Sequence, residues 1–376
     1  MPQTLKNTMT FSDEQSMLLD TATGFFRDKS TSADVRNLID SARGYDDAVW
    51  QEMVALGWSG LAIPEDFGGS GLGLAAAVAI AEPMGRHLAA SPFLSTQLFV
   101  QGVLAGGSDD QKSQYLSSIA EGSVGTVALF EEDGNWELMS AHAQLKAAGD
   151  RFTLTGVKTF VTDAEVATHY LVAATLAGEP ALAIVAEAEL PAAALSRETV
   201  IDETRRSYRL VIDAVDVAGT SVIRGDHAHK ALAAIRDAAL LLISAESVGG
   251  IAGVLEVIVE YLNTRSAFGR KIGSYQGLKH PSVDILIGLE RARSHVYHAA
   301  SLLDAGENAE AALRMAKAEA SSSYAFAGDR AIQFHGGFGF TYECDAQLYL
   351  RRALWSQYAF GDAAHHRKHL AALLLD

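Results

Sequence analysis

The N-terminal third of the chain carries apolar residues at spacings of three and four, from residue 11 to about residue 120. This spacing places apolar side chains on one face of a helix and predicts a run of amphipathic helices. Ser12, followed by Asp13, provides a capping residue for the first of these helices. The glycine-rich stretch 63–73 interrupts the periodicity, so we expect a loop between helices there.

The pattern changes between residues 124 and 223, where short segments rich in β-branched and aromatic residues are separated by turn signals such as Asp-Gly. These segments predict a small antiparallel β-domain, a barrel or a sandwich. Helical periodicity then returns, over residues 231–264, 280–303, 309–333 and 345–357. The order predicts an α+β multidomain fold with a helical domain over 1–123, a β-domain over 124–228 and a helical-bundle domain over 229–376.

Composition and charge exclude several classes of function. The 376 residues are 49% apolar and 20% charged, which is typical of packed globular proteins. The formal net charge of −16 repels phosphate backbones, so we expect no nucleic-acid partner. The most apolar stretch, 238–262, contains three glutamates and predicts a buried helix, with no membrane partner. The first residues contain no continuous apolar segment of the secretory kind, and we therefore expect a cytoplasmic protein.

Cysteine and histidine usage predicts no metal site. The single cysteine, Cys344, excludes an internal disulfide and a cysteine-cluster metal site. The histidines have no carboxylate at ligand spacing. We expect His335 to form a hydrogen bond in a loop, and His365 and His366 to lie at the surface.

Four segments of the chain carry a resemblance to a known family. They are LGWSGLAIPEDFGGSGLG at 56–73, LTGVKTFVTDA at 154–164, LNTRSAFGRKIGSYQGLKH at 262–280 and QFHGGFGFTYECDAQLYLRRA at 333–353. In this order they resemble the acyl-CoA dehydrogenase family across nearly the whole chain. Within that family the chain resembles actinobacterial-type members that act on steroid side-chain or other bulky CoA esters.

The resemblance implies a fold, a cofactor and partners. The expected fold is that family's helical domain, β-barrel and C-terminal four-helix bundle, and the expected cofactor is FAD. The implied substrate is an acyl-CoA, and the implied electron acceptor is an electron-transfer flavoprotein or a similar protein. Because the family's FAD sites straddle subunits, the resemblance also implies a homotetramer or an α2β2 heterotetramer.

The third segment supplies three predicted cofactor residues. The guanidinium fork of Arg265 suits a pyrophosphate. By resemblance, Arg265 serves FAD bound mainly by a neighbouring subunit, Phe268 packs on that flavin and Gln276 contacts its adenosine part. The alternative is a surface arginine and a core phenylalanine.

Five further residues are assigned to the cofactor region. Gln333, Gly336 and Gly337 are expected in a loop whose missing side chains let backbone approach a phosphate or ribose. The alternative for the glycine pair is a helix C-cap. By resemblance, Phe160 and Thr162 lie against the isoalloxazine ring, although they could be ordinary strand residues. On the other flavin-contacting strand, Glu131 stands after Phe130 where the family usually has Thr.

The family's usual catalytic base is missing. A dehydrogenase of this kind needs a carboxylate that removes the α-proton of the substrate while the β-hydride goes to the flavin. The resemblance places that carboxylate at Phe360, before Gly361. A second branch of the family has its glutamate at the position of Ala239. Neither residue can accept a proton.

Glu246 is the remaining candidate for the base. Glycines follow it at the i+3, i+4 and i+7 positions and leave a bare helix face that another group can approach closely: Gly249, Gly250 and Gly253. The alternative is that Glu246 begins a solvated stripe shared with Glu256 and Glu260.

Three functions follow from these residues. The first is FAD-dependent α,β-dehydrogenation of an acyl-CoA to the trans-2-enoyl-CoA, with Glu246 as the base. The second is a non-catalytic partner subunit of a heterotetrameric acyl-CoA dehydrogenase, because Phe360 replaces the usual base. The third is a flavin-dependent monooxygenase that retains the fold and changes the chemistry.

Overall fold

The computed structural model describes residues 12–375, so residue 11, where the helical periodicity begins, lies outside the described part. Ser12 caps the first helix through a capping box with Gln15, which confirms the predicted helix start. The helices before the sheet are α1 (Asp13–Lys29), α2 (Ser32–Ile39), α3 (Asp47–Ala55), α4 (Gly73–Ala76), α5 (Val78–Arg86), α6 (Phe93–Gly106) and α7 (Asp109–Ala120).

A mixed β-sheet follows. Its strands are β1 (Gly125–Ala128), β2 (Gln144–Ala148), β3 (Arg151–Thr162), β4 (His169–Leu176), β5 (Glu179–Ala186), β6 (Leu195–Glu198), β7 (Ser207–Ala218) and β8 (Val222–Arg224). Seven strands follow the order β6-β7-β3-β2-β4-β5-β8, and β1 pairs with β4. The β1–β4 and β2–β4 pairs are parallel, so the prediction of an antiparallel sheet is wrong at these two pairings. The β2–β3 hairpin reverses the chain before β4, which gives β4 the same direction as β1 and β2.

The C-terminal region is helical. Its elements are α8 (Asp226–Thr264), a hairpin of β9 (Ser266–Ala267) and β10 (Arg270–Lys271), α9 (Gln276–Asp304), α10 (Glu310–His335), α11 (Ala346–Tyr358) and α12 (Ala363–Leu375). The sequence pattern did not predict α12. Helix α8 is long and apolar enough to cross a membrane, but 94% of its most apolar stretch is buried inside the protein. It is therefore the core helix that its composition predicts.

Packing divides the chain into two compact units. The helical unit contains the described residues up to Arg36, then Leu74–Ala89 and the chain from Leu240 onward, with α10 packed against α9, α11 and α12. The sheet unit contains Asn37–Gly73 and Ala90–Ala239, with α6 packed on β1 and β4. The structure confirms the α+β multidomain fold class, whereas the domain boundaries 1–123, 124–228 and 229–376 stay a prediction.

Candidate active site

A two-stranded hairpin follows α8 and carries or adjoins two of the predicted cofactor residues. Arg265 is exposed directly before β9, and Phe268 with Gly269 forms the tip between β9 and β10. Both tip residues have positive φ, 52° and 79°, which is the type I′ turn that suits two-residue hairpins. Phe268 is 95% exposed, so the alternative of a core phenylalanine is wrong.

Side-chain contacts hold this hairpin in place. The Tyr275 hydroxyl donates to the Ala267 carbonyl at 3.1 Å, and the Arg270 guanidinium lies 4.0 Å from the centre of the Tyr275 ring. The Lys271 ammonium donates to the carbonyl of Thr264 at the end of α8, at 2.7 Å. These contacts hold the base of the hairpin, while its tip at Phe268 stays exposed.

Gln276 and the predicted glycines lie at helix ends. Gln276 is exposed as the first residue of α9, and no side chain caps that helix. Unpaired N–H groups at a helix N-terminus favour an anion. Gln333 lies in the last turn of α10 and not in a loop, because the helix continues to His335. Gly336 ends that helix with a φ of 61°, so the C-cap alternative is correct for it.

The end of α10 lies close to the end of α8. The ring of His335 stacks on Tyr261 of α8 at 4.1 Å, and its Nδ1 hydrogen-bonds the Ala331 carbonyl at 2.7 Å. His335 is thus a buried helical residue and not the loop residue that we expected. The Arg265 N–H donates to the Tyr261 carbonyl at 2.9 Å, so the end of α10 adjoins the base of the hairpin. A side chain added at Gly336 or Gly337 would meet no other described atom within 4 Å, which leaves room for a ligand.

The sheet unit contains the other predicted flavin residues. Phe160 has a φ of 54°, is 55% exposed and interrupts the register between β3 and β7. It is therefore not an ordinary strand residue. The Thr162 carbonyl accepts a hydrogen bond from the Thr126 hydroxyl at 2.6 Å, and its side chain is half-buried. The Glu131 carboxylate faces inward and pairs with Lys158.

Glu246 lies in the middle of α8 and is only 2% exposed. The alternative of a solvated stripe shared with Glu256 is therefore wrong, because Glu246 is buried whereas Glu256 is exposed and pairs with Arg86. The bare helix face is filled by this chain itself: a β-carbon at Gly249 would lie 1.8 Å from the Glu82 carbonyl oxygen of α5, and one at Gly250 would lie 2.2 Å from the ring of Tyr324. The α5 backbone and the Tyr324 ring therefore occupy the space that side chains at these glycines would fill.

A polar network fixes α5 over this face of α8. The Arg293 guanidinium of α9 donates twice to one oxygen of the Glu82 carboxylate, at 2.9 and 3.1 Å. The Tyr297 hydroxyl donates to the other oxygen at 2.8 Å, and its burial, together with the negative charge of Glu82, raises the pKa of Tyr297. Because Glu82 is buried, this pairing offsets the cost of removing its charge from water.

The turn at the missing base position is held from inside. Phe360 and Gly361 both have positive φ, 57° and 101°. The fully buried ammonium of Lys317 donates to the carbonyls of Ser356 and Gly361, each at 2.9 Å. Burial lowers the pKa of Lys317 to about 7, against the opposing charge of Asp362. Lys317 is not among the residues predicted from the sequence, where its signal is a lysine with alanine on each side in MAKAEAS.

His366 lies beside this turn and is buried, so the expectation that it is a surface residue is wrong. Burial and the neighbouring Lys317 charge lower the pKa of His366 to about 3. The residue is therefore neutral at ordinary pH and serves packing.

Comparisons with known proteins agree with this architecture. The family models for the acyl-CoA dehydrogenase N-terminal and C-terminal domains match residues 12–123 and 234–375. Acyl-CoA dehydrogenase IpdE2 from Mycobacterium tuberculosis is 31% identical over 347 residues, or 92% of each protein. A solved structure described as the steroid ACAD Tcur3481-Tcur3483 is 26% identical, with a TM-score of 0.86 over 96% of this chain and 98% of that chain. The ChsE4-ChsE5 complex from Mycobacterium tuberculosis, at 24% identity and a TM-score of 0.89 over 98% of this chain and 99% of that chain, has the same fold.

Proposed function

The chain belongs to the acyl-CoA dehydrogenase family, and we propose that it oxidises a bulky, steroid-derived acyl-CoA ester in the cytoplasm with FAD as its cofactor. As a member of this family it is an oxidoreductase that dehydrogenates acyl-CoA. The steroid origin of the substrate is supported by the description of one solved relative as a steroid ACAD. The electron acceptor that we propose is an electron-transfer flavoprotein or a similar protein.

The single observation that carries the cofactor assignment is the braced hairpin. Phe268 is 95% exposed at a positive φ on a hairpin held by hydrogen bonds, which fits a surface that a bound cofactor covers. Arg265, the uncapped start of α9 at Gln276 and the open glycines at the end of α10 fit the anionic and ribose parts of FAD. When bound, the flavin supplies the oxidising power of the reaction.

The position of Glu246 favours an oligomer. Glu246 lies roughly 27 Å along α8 from the helix end at Thr264, at 1.5 Å per residue. A base near one end of this distance and a pyrophosphate contact at the other would serve different cofactor molecules. Members of this family form oligomers, and we propose a homotetramer in which the hairpin of one subunit completes the cofactor site of another.

In this proposal Glu246 receives the α-proton of the thioester, and the product is the trans-2-enoyl-CoA. Its carboxylate is buried, which suits a base that must work away from bulk water. Substrate entry must then move the α5 side of the helical unit by a small amount, because Glu82 and Arg86 of α5 contact the same face of α8.

Replacement of Glu246 by Gln tests this assignment. The variant should retain FAD and lose turnover by roughly 100-fold or more, the range for a general base. A matched control is Glu256→Gln, which removes an exposed carboxylate from the same helix and should leave turnover unchanged. Turnover near that of the parent in Glu246→Gln would refute its role as the base.

A second candidate is the non-catalytic partner subunit of an α2β2 heterotetramer. Phe360 occupies the turn where the family places its base, and the solved steroid ACAD relative is described by two polypeptide names. In that assembly Arg265, Phe268 and Gln276 would complete the FAD site of a different polypeptide.

The visible absorption spectrum of the chain purified alone separates the two candidates. A yellow protein with one FAD per chain supports the homotetrameric enzyme. A folded protein that is colourless alone, and yellow only when it is co-expressed with a second chain, supports the partner subunit.

A further inference from the structure

A buried ion pair lies next to the predicted flavin contact in the sheet unit. The Lys158 ammonium is fully buried on β3 and lies 2.6 Å from the Glu131 carboxylate and 3.3 Å from the Leu129 carbonyl oxygen. Two charges removed from water are tolerated only when hydrogen bonds replace their hydration. The contacts around Lys158 and Glu131 must therefore supply the hydrogen bonds that replace this hydration.

Glu131 also ties down the connection between β1 and β2. Its two oxygens accept the backbone N–H groups of His142 and Ala143, at 2.6 and 2.8 Å. Burial opposes ionisation, but these donors and Lys158 keep the pKa of Glu131 below its usual value. The carboxylate is thus a fixed acceptor of three hydrogen bonds that joins the end of β1 to the start of β2 and to β3.

The same contacts surround a strained bulge. The pairing of β3 with β7 shifts register between Lys158 and Val161. Within the bulge, the Thr159 N–H donates to the Phe130 carbonyl at 3.0 Å, and the Phe160 N–H donates to the Glu198 carboxylate at 2.9 Å. Phe160 has a left-handed backbone, which is strained for a non-glycine residue and persists only where neighbours enforce it.

We propose that Glu131 and Lys158 are positioning residues that hold this bulge and so aim the Phe160 ring at bound flavin. Phe130, whose carbonyl receives the Thr159 N–H, immediately precedes Glu131, and Lys158 immediately precedes Thr159. The ion pair therefore clamps both partners of that hydrogen bond. The inference rests on the proposed FAD binding, but the geometry that it assigns belongs to the chain itself.

The test uses three variants and one control in the full-length protein. Glu131→Gln keeps an acceptor for the loop N–H groups but leaves the Lys158 charge buried and unpaired. Lys158→Met removes the charge, and the double variant removes both. The control Asp216→Asn breaks an exposed ion pair with Arg151 at the other end of the same two strands.

Three readouts are measured for each variant: amide exchange, FAD affinity and thermal stability. Amide hydrogen exchange of a peptide covering residues 158–162 needs no cofactor, and FAD titration followed by the visible absorption band gives the affinity and the flavin environment. In Glu131→Gln we expect exchange of this peptide to rise at least about tenfold, with a similar loss of FAD affinity. Asp216→Asn should match the parent in both.

The double variant separates positioning from stability. Thermal stability should recover because no buried charge is left unpaired, whereas exchange and FAD affinity should stay impaired because no side chain then joins β3 to the connection. Recovery of all three, or single variants with parent-like exchange, would overturn the proposal. A parent protein that binds no FAD in any assembly would refute the proposed function, while the exchange result would still decide the positioning role.

Discussion

In the middle of α8, glycines bring the backbone of α5 into direct contact with the helix beside Glu246, whereas beyond its end at Thr264 an exposed hairpin carries Phe268. The middle of α8 is closely packed, because a β-carbon added at Gly249 would lie within 2 Å of a carbonyl oxygen. The hairpin is exposed, its two tip residues have positive φ values, and hydrogen bonds from Tyr275 and Lys271 hold it in place. One helix is thus closely packed in its middle, around Glu246, and is followed at its end by an exposed hairpin that we propose as the recognition end.

The largest expected effect is at the helix crossing. Gly249→Ala places a methyl group against the Glu82 carbonyl and should lower the free energy of unfolding by at least about 3 kcal/mol. Gly24→Ala in α1 meets no atom within 4 Å and should stabilise slightly, because alanine loses less entropy in a helix. Urea unfolding checks both, and equal effects would break the proposed difference between filled and open positions.

Lys317 is a second buried group of the helical unit, and the pH dependence of stability tests its burial. Burial lowers the pKa of Lys317 from 10.5 to about 7 in the folded chain. Between these values the unfolded state binds the extra proton, so stability should rise with pH by roughly 2–3 kcal/mol between pH 7 and 9. Thermal melts should show this rise in the parent and not in Lys317→Met. A parallel rise in both would exclude Lys317 as its source.

At the recognition end, Arg265→Ala should weaken FAD binding by roughly 30-fold, because a charge-assisted hydrogen bond contributes about 2 kcal/mol. The free energy of unfolding should stay unchanged, since Arg265 is exposed. Arg291→Ala on α9, also exposed, is the control and should retain the parent affinity. Equal affinity in the two variants would show that the hairpin arginine does not contact the cofactor.

The smallest and most specific effect is at Phe268. Phe268→Gly should stabilise the chain by up to about 1 kcal/mol, because glycine adopts the positive φ without strain, while FAD binding weakens about tenfold. Phe268→Ala removes the same ring but keeps the strain, so it should lose affinity without gaining stability. Calorimetry and FAD titration on the pair separate strain from recognition, and a stability gain in both would contradict this account.

The local signals of the sequence predicted the helices well. The capping box at Ser12, the long apolar run of α8 and the strand texture before residue 224 depend on neighbouring residues, whose spacing is printed in the sequence. Gln333 and His335 were placed in a loop because the glycines after them resemble a loop signal, although the helix ends only at Gly336. The parallel pairing of β1 and β4 depends on long-range contacts that periodicity does not contain.

The sequence by itself determined the helix–sheet–helix order, the family and the candidate residues from Arg265 to Gln276, because motif and spacing are local properties. Only the tertiary structure decided which groups are buried. The glycines after Glu246 receive α5, Lys317 holds the turn at Phe360, and Glu131 pairs with Lys158. Each of these depends on residues far apart in the chain, and the cost of burying a charge is set by the partners that the fold brings to it.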